Sequence, residues 1–286
     1  FIFVFMVRAP VGCYFVPYAT LCRSRVARLD ILGLDADLIQ MFEVAHEVGD
    51  GFGYIVGSQE TTEALGWDYT AWLDSITAST TPLALARKVA DSYVAQDGVG
   101  FATQSVLDAG ETAGLAAAVD RLALAMLDNL GVDRTAIEAI RQDPNVGLVT
   151  FDYNHDGRQA SDSYVDLGQL CAEIKDRCSS QEIKNGAAAV LEALDRAVVD
   201  SRTNGQAYYA PVMGLSIYYP TKDPDVVGGN DLYALYQAAG VLGFTDATHW
   251  DEFLDAMNRG VATMVSHEPP ADGTLPQYRN NVITIE

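Results

Sequence analysis

The residues best placed to do chemistry are Asp35 and Asp37, two carboxylates separated by Ala36 at the end of the apolar run Leu29-Asp30-Ile31-Leu32-Gly33-Leu34. Carboxylates bind cations, cap helices or exchange protons, and their surroundings decide which. A second oxygen-rich stretch, Asp152-x-Asn154-x-Asp156-Gly157, has the spacing of the first ligands of a calcium loop, with glycine where that loop turns. The closing bidentate Glu of such a loop is replaced by Ser163, with Asp162 one residue early. Asp152, Asn154 and Asp156 are therefore candidate Ca2+ ligands, and a plain Asx-rich turn is the competing reading.

Histidines and cysteines add little. His46, His155, His249 and His267 all follow Asp37. His46 falls near the apolar stripe of a helical pattern and reads as a core or boundary residue. His249, beside Trp250, reads as a helix start. Cysteines 13, 22, 171 and 178 contain no CxxC pair, so no zinc site is expected. Cys171 and Cys178 share a helix face, but helical rise separates them by about 10 Å, too far for a disulfide. They read as buried or free thiols.

The elements that must position Asp35 and Asp37 follow from periodicity. Ile39, Met41, Phe42, Ala45, His46 and Val48 recur at helical spacing and Gly49 stops them, before a second apolar run over 53–58. This is a strand, helix, strand unit with the carboxylates at the C-terminal end of the first strand, where open α/β sheets collect ligands. Helices are predicted over 68–76, 82–96, 108–130 (closed by Gly131), 133–141, 163–177, 180–200, 230–239 and 250–261. Strands are predicted over 100–106 and 214–220, with a short edge strand over 282–285. Alternation of strands and helices implies an α/β protein with a mostly parallel sheet covered on both faces.

Composition sets further bounds. At 286 residues the chain forms one large domain or two small ones. No apolar run approaches the roughly 18 residues that span a bilayer. The opening FIFVFMV is short and lacks preceding basic residues, so it is not a convincing signal peptide, and Pro10 spoils a lipoprotein box at Cys13. A net charge of −21 argues against nucleic acid and anionic membranes as partners. The acids are mostly Asp and the lysines only Lys88, Lys175, Lys184 and Lys222. That balance fits a protein kept soluble at high salt, or a GC-rich genome with an acidic surface. Residues 1–27 differ from the rest: they carry Arg8, Arg23 and Arg25, and no acid precedes Asp30. They read as an atypical leader foreign to the remainder, or as an unusual N-terminal strand pair.

Several stretches resemble the clostripain family of cysteine endopeptidases. GLDADLIQMFEVAHEV is similar to the family's nucleophile segment, in which Asp-Ala-Cys-Leu ends a strand. YIVGSQETTEALGWDYTAWL, SVLDAGETAGLAAAVDRLA, SYVDLGQLCAEI, AVVDSRTNG, GLSIYYP and TDATHWDEFLDAM match in order, covering residues 29–257. The resemblance implies a caspase-like three-layer α/β/α sandwich over 28–220 and a largely helical C-terminal extension over 221–286. It also implies cleavage after Arg or Lys by a Cys-His dyad, basic peptide or protein partners, calcium dependence in some members, and an extracellular or cell-surface location. Two departures stand out. Asp37 occupies the nucleophile position, and no histidine lies upstream of it, where the family's base belongs. A carboxylate is a weak nucleophile and a good leaving group, so it cannot replace a thiolate. Asp35 is retained and matches the acid of the pocket for the basic side chain, with Glu60, Glu63 or Asp68 expected as a second acid. The competing reading of Asp35 is a cap on the following helix, and that of Asp37 a cap or an exposed side chain. The expected function is thus a truncated, inactive clostripain-like endopeptidase, and the alternative is a non-catalytic domain that binds basic peptides.

Overall fold

Neighbouring residues on the central strands point into different cores. The structure, a computed structural model, describes residues 4–5, 28–63, 65–100, 102–151, 162–221, 226–227 and 230–259. Its main sheet contains β1 (Val4–Phe5), β2 (Leu29–Gly33), β3 (Phe52–Gly57), β4 (Thr103–Asp108) and β7 (Val198–Thr203), side by side in that order. Leu32, Ile55 and Leu107 face one hydrophobic cluster, and their neighbours Ile31, Val56 and Val106 face the other. That is the period of two of a strand buried on both faces.

Helices close both faces. α1 (Phe42–Val48), α4 (Thr112–Gln142), α5 (Leu167–Arg177) and α6 (Gln181–Ala197) contribute to the larger cluster. α2 (Tyr69–Leu73) and α3 (Pro82–Val94) bury Trp72, Leu85, Val89 and Tyr93 against the other face. Pro82 sits in the first turn of α3, where a missing N–H costs nothing. β1 pairs with β2 and β2 with β3 in parallel, while β4 runs antiparallel to both β3 and β7. Four of the five strands therefore point the same way.

A second, antiparallel sheet joins β5 (Thr150–Phe151), β6 (Tyr164–Asp166) and β8 (Ser216–Tyr218). It is stitched to the first beside the end of β2, where Met41 and Ser216 form a parallel bridge and the Ser216 N–H donates to the Gln40 carbonyl at 3.0 Å. A short ribbon, β9 (Val226–Val227) and β10 (Asn230–Asp231), leads into α7 (Leu232–Tyr236), α8 (Gly243–Ala247) and α9 (Trp250–Arg259). Tyr233, Phe244, Trp250 and Phe253 from these last helices lie in the same cluster as α1 and α4. Among the described residues no helix is long and apolar enough to cross a membrane.

Three predicted elements need correction. The helix expected to stop at Gly131 runs unbroken from Thr112 to Gln142. Gly131 does not adopt the positive φ of a glycine helix stop. The added turns bury Ile137 and Ile140, and bring Asp133 to the Ser179 and Ser180 N–H groups (2.6 and 2.8 Å) at the start of α6. The helix expected over 180–200 yields at Val198 to β7, where two β-branched valines meet the free edge of β4. The helix expected over 163–177 begins only at Leu167, because Tyr164–Asp166 pairs between β5 and β8. The predicted strand over 282–285 lies outside the described residues.

Candidate functional site

The loops that follow β2 and β3 lie against each other at one end of the sheet. Leu38 N–H donates to the Glu60 carbonyl at 3.3 Å and Gln40 N–H to the Ser58 carbonyl at 2.9 Å. Leu38 has φ +53°, the left-handed region that costs a non-glycine residue about 1–2 kcal/mol. Its side chain is buried with Val149, Phe151 and Tyr209, and that burial holds the backbone there.

Asp35 is buried, at 4% exposure. Its Oδ2 accepts from the Tyr69 hydroxyl at 2.7 Å and the Trp67 N–H at 3.2 Å. Its Oδ1 is buried with no hydrogen-bond partner. Gly66, at φ +63°, passes so close that a Cβ there would meet Oδ2 at 2.7 Å, so only glycine fits. Asp35 is not a helix cap: Met41 stands at the start of α1, with no side-chain cap. Asp37 is half-buried and neither caps a helix nor hangs free. Its Oδ1 accepts from both the N–H and the hydroxyl of Thr62, at 2.6 and 2.8 Å, tying the two loops together.

The other predicted acids have different neighbours. Glu60 is buried, with Oε2 on the Tyr209 hydroxyl at 2.7 Å and Oε1 on the Thr61 N–H at 2.8 Å. Asp68 caps α2 through the Ala71 N–H at 3.0 Å. Glu63 accepts from the Gly100 N–H at 3.2 Å, and its own N–H donates to the Tyr93 hydroxyl at 3.0 Å. Burial, followed by the charges of Glu63, Asp35 and Asp37, pushes the Tyr93 phenol up to about 12. Three carboxylates thus share one neighbourhood, a field that favours a cation.

Neither described cysteine offers a thiolate. Cys171 and Cys178 are free and buried; burial pushes the Cys171 thiol up, and that of Cys178 to about 11. His46 packs edge-on to Phe42 and Phe244 at 6.4 and 5.8 Å between centroids, and burial lowers its pKa. It is a core-boundary residue, as its sequence position implies. His249 precedes α9, and its N–H and Nδ1 both meet Asp120 Oδ1, at 3.0 and 2.7 Å. The candidate calcium ligands Asp152, Asn154 and Asp156 lie outside the described residues, as do Cys13, Cys22, His155 and His267. Among the described residues no group of three or more His, Cys, Asp or Glu is placed to hold a metal ion.

Sequence reasoning missed three contributors. Tyr69 and Thr62 stand in a quoted stretch, but nothing in their spacing ties them to Asp35 and Asp37. Asp166 is fully enclosed, accepting from Gln59 Nε2 (2.9 Å) and the N–H groups of Met213 and Gln169 (both 2.8 Å). The available signal was an acid immediately before Leu167, at the N-cap of α5. Burial raises the Asp166 pKa, against the pull of the Gln59 amide and the surrounding N–H donors.

Residues 21–257 match the family model of the clostripain family, peptidase C11. The chain belongs to the clostripain family. A search among curated proteins finds no match. Of the solved structures, a cysteine protease from B. fragilis aligns with TM-score 0.55 and 20% identity, covering 85% of this chain and 99% of that one. A clostripain from Bacteroides thetaiotaomicron, in complex with the peptide inhibitor BTN-VLTK-AOMK, aligns with TM-score 0.51 and 17% identity, covering 77% and 87%. An inactive zymogen C11 protease from Parabacteroides distasonis aligns at TM-score 0.47 and 20% identity; 68% of this chain is covered, and it spans 54% of that protease. The first two alignments carry the fold alone. The α/β/α class expected from the sequence, with its caspase-like arrangement, is the fold of this clostripain homologue.

Proposed function

We propose that the strand-end site binds the basic side chain of a peptide through Asp35, and that this chain does not itself cleave the peptide. One observation carries the binding: Asp35 Oδ1 is buried and without a partner, an expensive state that a cationic ligand would relieve. Asp37 and Glu63, whose charges act together with that of Asp35 on the Tyr93 phenol, support the same ligand. A ligand reaches Oδ1 only by displacing the atoms that now cover it. The absence of cleavage rests on chemistry. By the sequence resemblance Asp37 takes the position of the family's thiol; its carboxylate is held by Thr62, and the described cysteines are enclosed in the core.

Peptides carrying one basic residue, titrated into the protein by calorimetry, test this reading. Asp35→Asn is expected to weaken binding by about 10- to 100-fold, the loss of one charged hydrogen bond worth ~1.5–3 kcal/mol. Equal affinity for a norleucine peptide would refute the pocket. An Arg-amide or Lys-amide fluorogenic substrate tests the second half. Sustained turnover abolished by Asp37→Ala would show that the carboxylate is catalytic after all.

A further inference from the structure

The bonding of the Asp35 carboxylate, taken with the binding role proposed for it, also sets which cation it accepts. Oδ2 already receives two hydrogen bonds, from Tyr69 and Trp67, which use both of its lone pairs. Gly66 lies across the carboxylate, nearer Oδ2: a Cβ there would meet Oδ2 at 2.7 Å and Oδ1 at 3.3 Å. These neighbours are anchored: Trp67 is 2% exposed in the second core, its indole N–H directed at the Gln104 amide oxygen at 3.1 Å, and the Tyr69 ring rests on buried Trp72. Oδ1 alone is left without a partner. A guanidinium engages a carboxylate best as a fork, two parallel N–H donors on two oxygens. Here one prong of the fork would meet an oxygen that is already filled. An ammonium is a compact charge that needs one acceptor oxygen.

We propose that this site selects lysine over arginine, and that the Tyr69 hydroxyl sets the choice by occupying Asp35 Oδ2. The inference rests on the basic-peptide reading and goes past it, because a site open on both oxygens would favour the fork.

Fluorescence polarisation with fluorescein-labelled Ala-Ala-Ala-Lys, Ala-Ala-Ala-Arg and Ala-Ala-Ala-norleucine amides on the full chain tests it. Lysine is expected to bind about tenfold tighter than arginine, one well-made hydrogen bond's worth. Tyr69→Phe keeps the ring against Trp72 and frees one lone pair on Oδ2, so the lysine-to-arginine ratio is expected to fall towards one. Arginine binding as tightly as lysine to the unmodified chain overturns the proposal, whether or not the variant folds. An unchanged ratio in a folded Tyr69→Phe protein overturns the role of Tyr69. Arginine preferred, with both basic peptides weakened by Asp35→Asn, sinks the selectivity while leaving the pocket standing. No preference of either basic peptide over norleucine sinks both.

Discussion

Glu43 on α1 is almost wholly buried, at 2% exposure. Its Oε1 accepts from the Tyr218 N–H at 2.9 Å and the Tyr236 hydroxyl at 2.8 Å, while Oε2 has no partner. Burial raises its pKa above the ordinary carboxylate value, outweighing those hydrogen bonds. From about pH 4.5 upward the folded state therefore holds a proton that the unfolded chain releases, and stability falls as pH rises through that window. Glu43→Gln keeps the acceptor oxygen and has no proton to lose. Thermal unfolding from about pH 4 to about pH 8 should decline more steeply for the unmodified protein than for the variant. Parallel profiles would remove Glu43 from this role. At this scale the sequence located Asp35 and Asp37 at a strand end, because the apolar run before them is unambiguous. It was silent on what bonds them. Tyr69 lies 34 positions from Asp35, Tyr236 193 positions from Glu43, and no local pattern encodes such pairings.

Among the elements, α4 departs most from the sequence reading. A glycine in a helical period is ambiguous, since it weakens a helix without having to end one. The decision came from tertiary contacts: buried Ile137 and Ile140, and Asp133 capping the next helix. Gly131 is exposed, and a Cβ there would meet nothing within 4 Å. Gly131→Ala is therefore expected to stabilise the protein by about 0.5–1 kcal/mol, read from denaturant unfolding with an unchanged slope. A loss of stability would mean that the helix needs the glycine as a break. Strands β6 and β7 escaped notice for a related reason. Each continues the apolar period of an adjoining helix, Val198-Val199 after Ala197 and Val165 before Leu167, and only a partner strand separates the two readings. Strands β2, β3 and β8 were legible because their apolar runs are bounded by glycine, aspartate or proline.

For the molecule as a whole, charge dominates. The net charge is −21, and several described arginines are drawn into ion pairs: Arg202 meets both Asp91 and Asp200, and Arg87 meets Asp200. The remaining acids repel one another over a distance set by the Debye length, about 10 Å at 0.1 M salt and about 3 Å at 1 M. The unfolding midpoint is expected to rise as KCl goes from about 0.1 to about 1 M, and a flat response would show that self-repulsion costs little here. An α/β sheet covered on both faces was readable from alternation, and the three-layer α/β/α class from the family resemblance, whereas the stitch between the two sheets was not. That stitch also dictates timing. The carbonyl of Gln40 waits for Ser216, made 176 residues later, and the Glu43 carboxylate for Tyr236, made 193 residues later. At about 5–20 residues per second, a ribosome needs roughly 10–40 s to deliver them. Through that interval the helix behind the site lacks both of these bonds, whereas Asp35 and Asp37 meet their own partners, Tyr69, Trp67 and Thr62, within 34 residues of chain.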